Sequence, residues 1–183
     1  MKNIVLLGCT GSIGTSTIKV AEDLPQHIRL IGLAAGRRVD DLVAQAGRFK
    51  PQLIYISDPA LKESLDTKAP AGVRTTCGNE GLLELATLPE ADIVLIAIVG
   101  TAGLEPALAA IRAGKDIADA SEEILVMAGE IVMREAKAHG VRVLAVDSEH
   151  SAIFQCLDDK PESSVRALWL TASGGPFRQK PKE

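Results

Sequence analysis

Gly8, Gly11 and Gly14 recur at every third position directly after the run Ile4-Val5-Leu6-Leu7, and a helical pattern follows them. A buried parallel strand that ends in a tight turn and aims a helix N-terminus at a bound phosphate reads this way. Gly8 lets the chain leave the strand sharply, Gly11 lets backbone N–H groups approach a pyrophosphate, and Gly14 lets the helix lie close on the sheet. Thr10 and Ser12 add hydroxyl donors to the same cradle. The spacing is G-x-x-G-x-x-G rather than G-x-G-x-x-G, and a glycine-rich turn without a ligand would look the same. A second group lies where the next strand ends. Leu30-Ile31-Gly32-Leu33-Ala34-Ala35 runs into Gly36-Arg37-Arg38. Two guanidiniums thus stand where a fold that binds NAD usually places a carboxylate for the ribose 2′-hydroxyl. Planar, always-charged forks suit a phosphate, so the pattern predicts NADP(H), with Arg37 and Arg38 on the adenosine 2′-phosphate. Two surface arginines at a solvated helix start are the alternative.

The elements that must position these groups alternate. Strand-like runs fall near 3–7, 29–34, 53–56, 73–75, 93–98, 116–118, 142–146 and 165–171. Helical patterns fit 12–24, 39–49, 59–65, 79–87, 104–113, 125–139 and 151–157. This order implies an α/β, Rossmann-like, doubly wound and mainly parallel sheet with helices on both faces. Residues 1–146 read as the nucleotide-binding domain and 147–183 as the start of a second domain, with 158–164 as the one polar, proline-containing stretch between patterned segments. The turn-rich ending Pro181-Lys182-Glu183 closes no element and reads as a cut through a larger protein. Trp169 and Phe154 are expected in a core.

The bulk properties narrow the function classes. A chain of 183 residues buries about 70% of its unfolded surface and needs no disulfide or metal to fold. Ala, Val, Ile and Leu dominate and aromatics make up only 3%, as in parallel strands covered on both faces. A formal charge of −4 argues against nucleic acid or a membrane surface as partner. The run before Gly8 is too short for a signal peptide, and no stretch has the length of a membrane-spanning helix. Cys9, Cys77 and Cys156 have no metal-type spacing and read as reduced thiols of a cytoplasmic protein.

Two later segments are more distinctive: Ala97-Ile98-Val99-Gly100-Thr101-Ala102-Gly103-Leu104, and Val146-Asp147-Ser148-Glu149-His150-Ser151-Ala152-Ile153-Phe154-Gln155. Together with the glycine turn and Ala172-Ser173-Gly174-Gly175-Pro176-Phe177, the chain resembles the 1-deoxy-D-xylulose-5-phosphate reductoisomerases of non-mevalonate isoprenoid biosynthesis. The resemblance runs in order over the whole chain. It implies an NADPH-dependent rearrangement and reduction of a phosphorylated ketose that needs Mg²⁺ or Mn²⁺, carried out by a homodimer. Residue by residue it implies that Thr10, Gly11, Ser12 and Ile13 hold the pyrophosphate, and Gly36, Arg37 and Arg38 the 2′-phosphate. Asp147 and Glu149 would bind the metal, and Ser148 and Ser173 would contact the sugar-phosphate substrate. If Asp147 and Glu149 sit at i and i+2 of a strand end, their carboxylates point the same way and share one hard cation. A solvated strand end is the plain alternative for a bare D-x-E. His150 is explained as well by a structural hydrogen bond as by a direct role.

The chain departs from the family at Asp119-Ala120-Ser121-Glu122-Glu123, in register with A-N-K-E over the last four residues. Glu123 is kept and is expected near the cofactor. Ser121 stands for an Asn that contacts the nicotinamide nucleotide. Glu122 stands for a Lys that contacts the substrate, a reversal of charge facing an anionic sugar phosphate. Asp119 falls where an apolar strand should end. A deliberate replacement, an error in the sequence and a divergent paralogue with another ligand all fit this acidic cluster. The family continues with a lid, a third metal carboxylate and a helical domain, so the 183-residue chain is expected to bind NADPH without turning over. Two other readings stand beside this one. A dehydrogenase of the aspartate-semialdehyde type needs a nucleophilic Cys with a His partner, a setting that Cys77 and Cys156 lack. A non-catalytic NADP(H)-binding module has no need of the Asp147–Glu149 pair.

Overall fold

A computed structural model describes residues 1–171, except for the side chain of Glu122. Continuous apolar runs set the sheet. β1 (Lys2–Leu7), β2 (Ile28–Ala35) and β3 (Leu53–Ile56) are buried nearly end to end, so both faces of the sheet are covered. β4 (Arg74–Cys77), β5 (Ile93–Ile96), β6 (Asp116–Asp119) and β7 (Val143–Ala145) complete a seven-stranded sheet in the order β4-β3-β2-β1-β5-β6-β7. β1 pairs in parallel with β2 and β5, β3 with β2 and β4, and β6 with β5. Among the described residues no helix is long and apolar enough to cross a membrane.

Between these strands run α1 (Ser12–Asp23), α2 (Val39–Phe49), α3 (Lys62–Lys68), α4 (Gly78–Ala86), α5 (Leu104–Arg112) and α6 (Glu122–His139). α2 shows why: Val39, Leu42 and Ala46 fall on one face and are buried, with Asp40 and Asp41 in its positive first turn. The strand order reverses between β1 and β5, because the chain builds outward from β1 to β4 and then returns to β1's other side. Ligands bind at such a switch point, beyond the carboxyl ends of the strands.

The chain divides into two compact units, residues 1–144 and 145–183. The described part of the second holds α7 (Ser148–Leu157) and a 3-10 turn at Glu162–Ser164. The expected strand at 165–171 does not form, for a strand needs a ladder partner and the segment has none among the described residues. Phe154 and Trp169 are not core residues either. They are 51% and 87% exposed.

At the far edge of the first unit, Asp116 opens β6 and fastens the segment before β7. Its carboxylate accepts from Arg142 N–H at 2.8 Å, Nε at 3.0 Å and Nη2 at 2.6 Å. Burial alone would raise this carboxyl's pKa, but the bonds from Arg142 outweigh it and hold it below the ordinary 3.8. The ionised form is therefore the one the fold favours, and its contribution is present above that value and lost as pH falls through the lowered one. Asp116→Asn is expected to cost about 1–2 kcal/mol at neutral pH, the guanidinium being largely exposed. The difference in Tm from wild type closes as the pH falls well below the ordinary 3.8. A Tm difference that stays constant down to about pH 2 would assign the effect to shape rather than charge.

Candidate functional site

The site is built from the carboxyl ends of β1, β2 and β5. Leu7 pairs with Ala34 on one side and Ile96 on the other. Gly8 then turns with φ +95, and its N–H and that of Cys9 both donate to Ala34 C=O, at 2.9 and 2.8 Å. Gly11 N–H folds back onto Gly8 C=O at 3.1 Å. A Cβ on Gly8 would lie 2.3 Å from Ala97 Oxygen of the neighbouring strand's exit, and one on Gly14 2.2 Å from Gly8 O. So Gly14 serves close approach of α1 to the turn itself. Gly11 is the N-cap of α1, no side chain caps it, and the first turn holds no acidic residue. The leading N–H groups of α1, on Ser12 and Ile13, thus lack intrahelical acceptors, and the end of the helix dipole that favours negative charge lies there.

Two hollows adjoin this turn, and another lies past the end of β2. The largest, about 550 Å³, is lined by Thr10, Gly11, Gly36, Tyr55, Asn79 and Ile98 among others. A second, about 410 Å³, holds Arg37, Arg38 and Lys68. A third, about 230 Å³, lies between Gly11, Ser12, Ile13, Ser121 and Glu123. Gly11 and the stretch 97–99 line both the first and the third, so the surface runs on past the glycine turn. Each cation of the second has a carboxylate nearby: Arg37 Nη2 is 3.3 Å from Asp58, Arg38 Nη1 is 4.0 Å from Asp41, and Lys68 Nζ is 2.7 Å from Asp40. Exposed pairs of this kind are worth little, so a dianionic phosphate competes for the same guanidiniums. Arg38 Nη1 also donates to Thr10 C=O at 2.9 Å.

At the other end, Ser121 is the N-cap of α6. Asp119 and Ser121 are buried, and Asp119 Oδ1 accepts Ser121 N–H at 3.0 Å. Ser121 Oγ donates to Glu123 Oε2 at 3.0 Å. The polar strand end at Asp119 is thus taken up by the turn that starts the helix. α6 begins three residues before the expected 125 and is broken at Ala128, beside Gly129.

In the second unit the strand-end geometry for the two carboxylates is overturned. Asp147 is the N-cap of α7, and Ser148 and Glu149 are its first residues. Residues two apart on a helix do not face each other. Asp147 Oδ1 accepts from His150 N–H at 2.9 Å and lies 2.6 Å from its Nδ1. Partial burial would raise Asp147's pKa, but the His150 bonds lower it further than that. The Ser148 hydroxyl, first, and its own N–H lower that of Glu149. Both are therefore ionised hard-oxygen donors of the kind a divalent cation takes, though among the described residues no group of three ligands gathers. Ser173 and the Glu122 side chain lie outside the described residues.

The site also contains a residue that the motifs did not flag. Gln45, on the buried face of α2, donates through Nε2 to Cys9 C=O at 3.1 Å. Its signal in the sequence was a polar side chain within an apolar helical stripe. Cys9 itself is no nucleophile: burial, first, pushes its thiol up to about 12.

Comparison with known proteins adds the decisive observation. The family model described as 1-deoxy-D-xylulose 5-phosphate reductoisomerase matches residues 4–129, and that of the same enzyme's C-terminal domain matches 143–183. The chain belongs to the 1-deoxy-D-xylulose 5-phosphate reductoisomerase family. The reductoisomerase of Symbiobacterium thermophilum is 50% identical over 97% of this chain and 47% of its own length. The solved reductoisomerase from Zymomonas mobilis, in complex with NADPH, superposes with a TM-score of 0.87 at 42% identity, over 98% of this chain and 47% of that one. A reductoisomerase in complex with NADPH, fosmidomycin and magnesium gives 0.88 at 41% identity, over 99% and 47%. The chain thus spans about half the length of these reductoisomerases.

Proposed function

We propose that the protein carrying this chain is an NADPH- and divalent-metal-dependent reductoisomerase that converts 1-deoxy-D-xylulose 5-phosphate to 2-C-methyl-D-erythritol 4-phosphate. The chain would supply its nucleotide-binding domain, residues 1–146, and the start of its metal-binding domain, residues 147–183. The observation that carries this reading is the surface around the glycine turn. It presents guanidiniums at one end, an uncapped helix N-terminus in the middle and the Ser121–Glu123 turn at the other end. Gly8 and Gly14, where a methyl group would strike backbone, keep that middle section close and open to a pyrophosphate.

Arg37 and Arg38, beside Gly36, would hold the 2′-phosphate, and Thr10, Gly11, Ser12 and Ile13 the pyrophosphate. Ser121 and Glu123 would orient the nicotinamide half, the serine hydroxyl being fixed by the glutamate. Asp147 and Glu149, ionised at neutral pH, would hold Mg²⁺ or Mn²⁺, and Ser148 and Ser173 would donate to the sugar phosphate. When bound, NADPH supplies a hydride and the cation a Lewis acid for the ketose oxygens. We further infer a homodimer located in the cytoplasm.

The test is NADPH oxidation with 1-deoxy-D-xylulose 5-phosphate, with and without Mg²⁺. The 183-residue chain is expected to bind NADPH and to oxidise none. Enzyme-like rates from the isolated chain, or rates indifferent to Mg²⁺, would overturn the assignment of roles.

A further inference from the structure

We propose that Gln45 and Arg38 are positioning residues that hold the glycine-rich turn in its phosphate-binding shape by gripping two successive carbonyls from the side of α2. The inference rests on the nucleotide-binding reading above. Gln45 Nε2 donates to Cys9 C=O at 3.1 Å, and Arg38 Nη1 to Thr10 C=O at 2.9 Å. Arg38 is the N-cap of α2 and Gln45 lies about two turns into it, so the start of one helix and its buried face reach the same turn.

In a trans peptide the N–H points opposite to the C=O. Fixing Cys9 C=O toward α2 therefore turns the Thr10 N–H away from it. Among the described residues that N–H has no protein acceptor, and Thr10 lines the 550 Å³ hollow. Fixing Thr10 C=O in the same way sets the next N–H, that of Gly11, onto Gly8 C=O at 3.1 Å and closes the turn. One grip thus frees a donor for the pyrophosphate and the other fixes the curvature that presents it.

Gln45 is an unusual choice for packing alone. It is 6% exposed, and its Oε1 has no hydrogen-bond partner. A buried amide with an orphaned oxygen gives the fold little that an apolar side chain of the same shape would not. What it supplies is the single bond to the turn. Arg38 acquires two tasks: its guanidinium serves the 2′-phosphate and, through Thr10 C=O, the turn.

The experiment titrates NADPH and NADH, which lacks the 2′-phosphate, against the 183-residue chain and its Gln45→Met, Arg38→Met and Arg37→Met variants, with Tm measured alongside. Gln45→Met is expected to weaken both nucleotides about tenfold and equally, while Tm falls by only about 2–4 °C, the Cys9 carbonyl losing its partner as the orphaned Oε1 is removed. Arg37→Met should weaken NADPH alone. Arg38→Met should weaken NADPH most and NADH about threefold, the second loss reporting the grip on Thr10. Gln45→Met binding both nucleotides within about twofold of wild type overturns the proposal, as does a loss confined to NADPH. Amide exchange on the unmodified chain gives a second readout independent of any variant's folding. The Thr10 amide should exchange freely without nucleotide and slow when NADPH binds, whereas protection equal to that of Gly11 in the free chain overturns the proposal. A wild-type chain that binds neither nucleotide fails the cofactor reading itself, a result distinct from any of these.

Discussion

Gly14→Ala is expected to abolish useful NADPH binding, with an affinity at least about a hundredfold weaker, and to lower Tm by about 6–12 °C. The added methyl would sit 2.2 Å from Gly8 O and 2.7 Å from Cys9 Cα, and neither atom belongs to a side chain that can swing away. Either α1 moves off the turn or the turn opens. Overpacking of this kind costs about 1–3 kcal/mol where side chains can yield, and backbone contacts put the cost at the upper end, about 3 kcal/mol. At about 2–4 °C per kcal/mol for a domain of this size, that gives the stated drop. Binding suffers more than stability because the N–H groups of Ser12 and Ile13 ride on α1, and a shift of about 1 Å already breaks their aim. Gly47→Ala is the control. It lies within α2, has nothing within 4 Å of an added Cβ, and is expected to raise stability by up to about 1 kcal/mol. Circular dichroism melts and a dihydronicotinamide fluorescence titration read both quantities. A Gly14→Ala chain that binds NADPH within about threefold of wild type would remove the close approach from the account.

How far the sequence spoke follows from the range of the interactions involved. β3 at 53–56 and α2 at 39–49 match their expected bounds, because an unbroken buried run and a single-sided apolar stripe are local signals. The doubly wound order of strands followed from their alternation with helices. α7 was misjudged at its start because Asp147 was taken as the end of a strand. Its carboxylate instead caps the helix through His150 N–H, a competition between two uses of one side chain that spacing does not decide. Phe154 and Trp169 were placed in a core on hydrophobicity alone, which says that a residue wants cover and not whether neighbouring chain provides it. The candidate site was legible where backbone needs dictate residue type, as at Gly8 and Gly14. It was not legible at Gln45, whose partner is a carbonyl 36 positions away and whose role depends on tertiary contact.

Glu122→Lys is expected to raise activity while slightly lowering stability, an opposition that separates a role at the site from one in the fold. Glu122 is the first residue of α6, directly after the Ser121 N-cap that lines the hollow by Ile13. An acidic side chain there favours the positive helix end by about 0.3–1 kcal/mol, and a lysine forfeits it. Toward a sugar phosphate the sign is reversed. Unit charges about 4 Å apart interact by about 4 kcal/mol at an effective dielectric near 20, and exchanging repulsion for attraction changes the balance by more than either alone. Even half of that amounts to a rate effect on the order of a thousandfold. The assay uses the chain extended with the C-terminal half of a reductoisomerase relative, 1-deoxy-D-xylulose 5-phosphate and Mg²⁺. Turnover by the lysine form alone would mark Glu122 as the residue that silences an otherwise competent site. Equal turnover by both would place position 122 away from the phosphate. If neither turns over while both bind NADPH, catalysis fails for reasons outside this residue and the chain is better understood as a nucleotide-binding module. Only the first outcome lets one charge account for the departure, and it does so because a helix N-terminus and an anionic substrate make opposite demands on the same position.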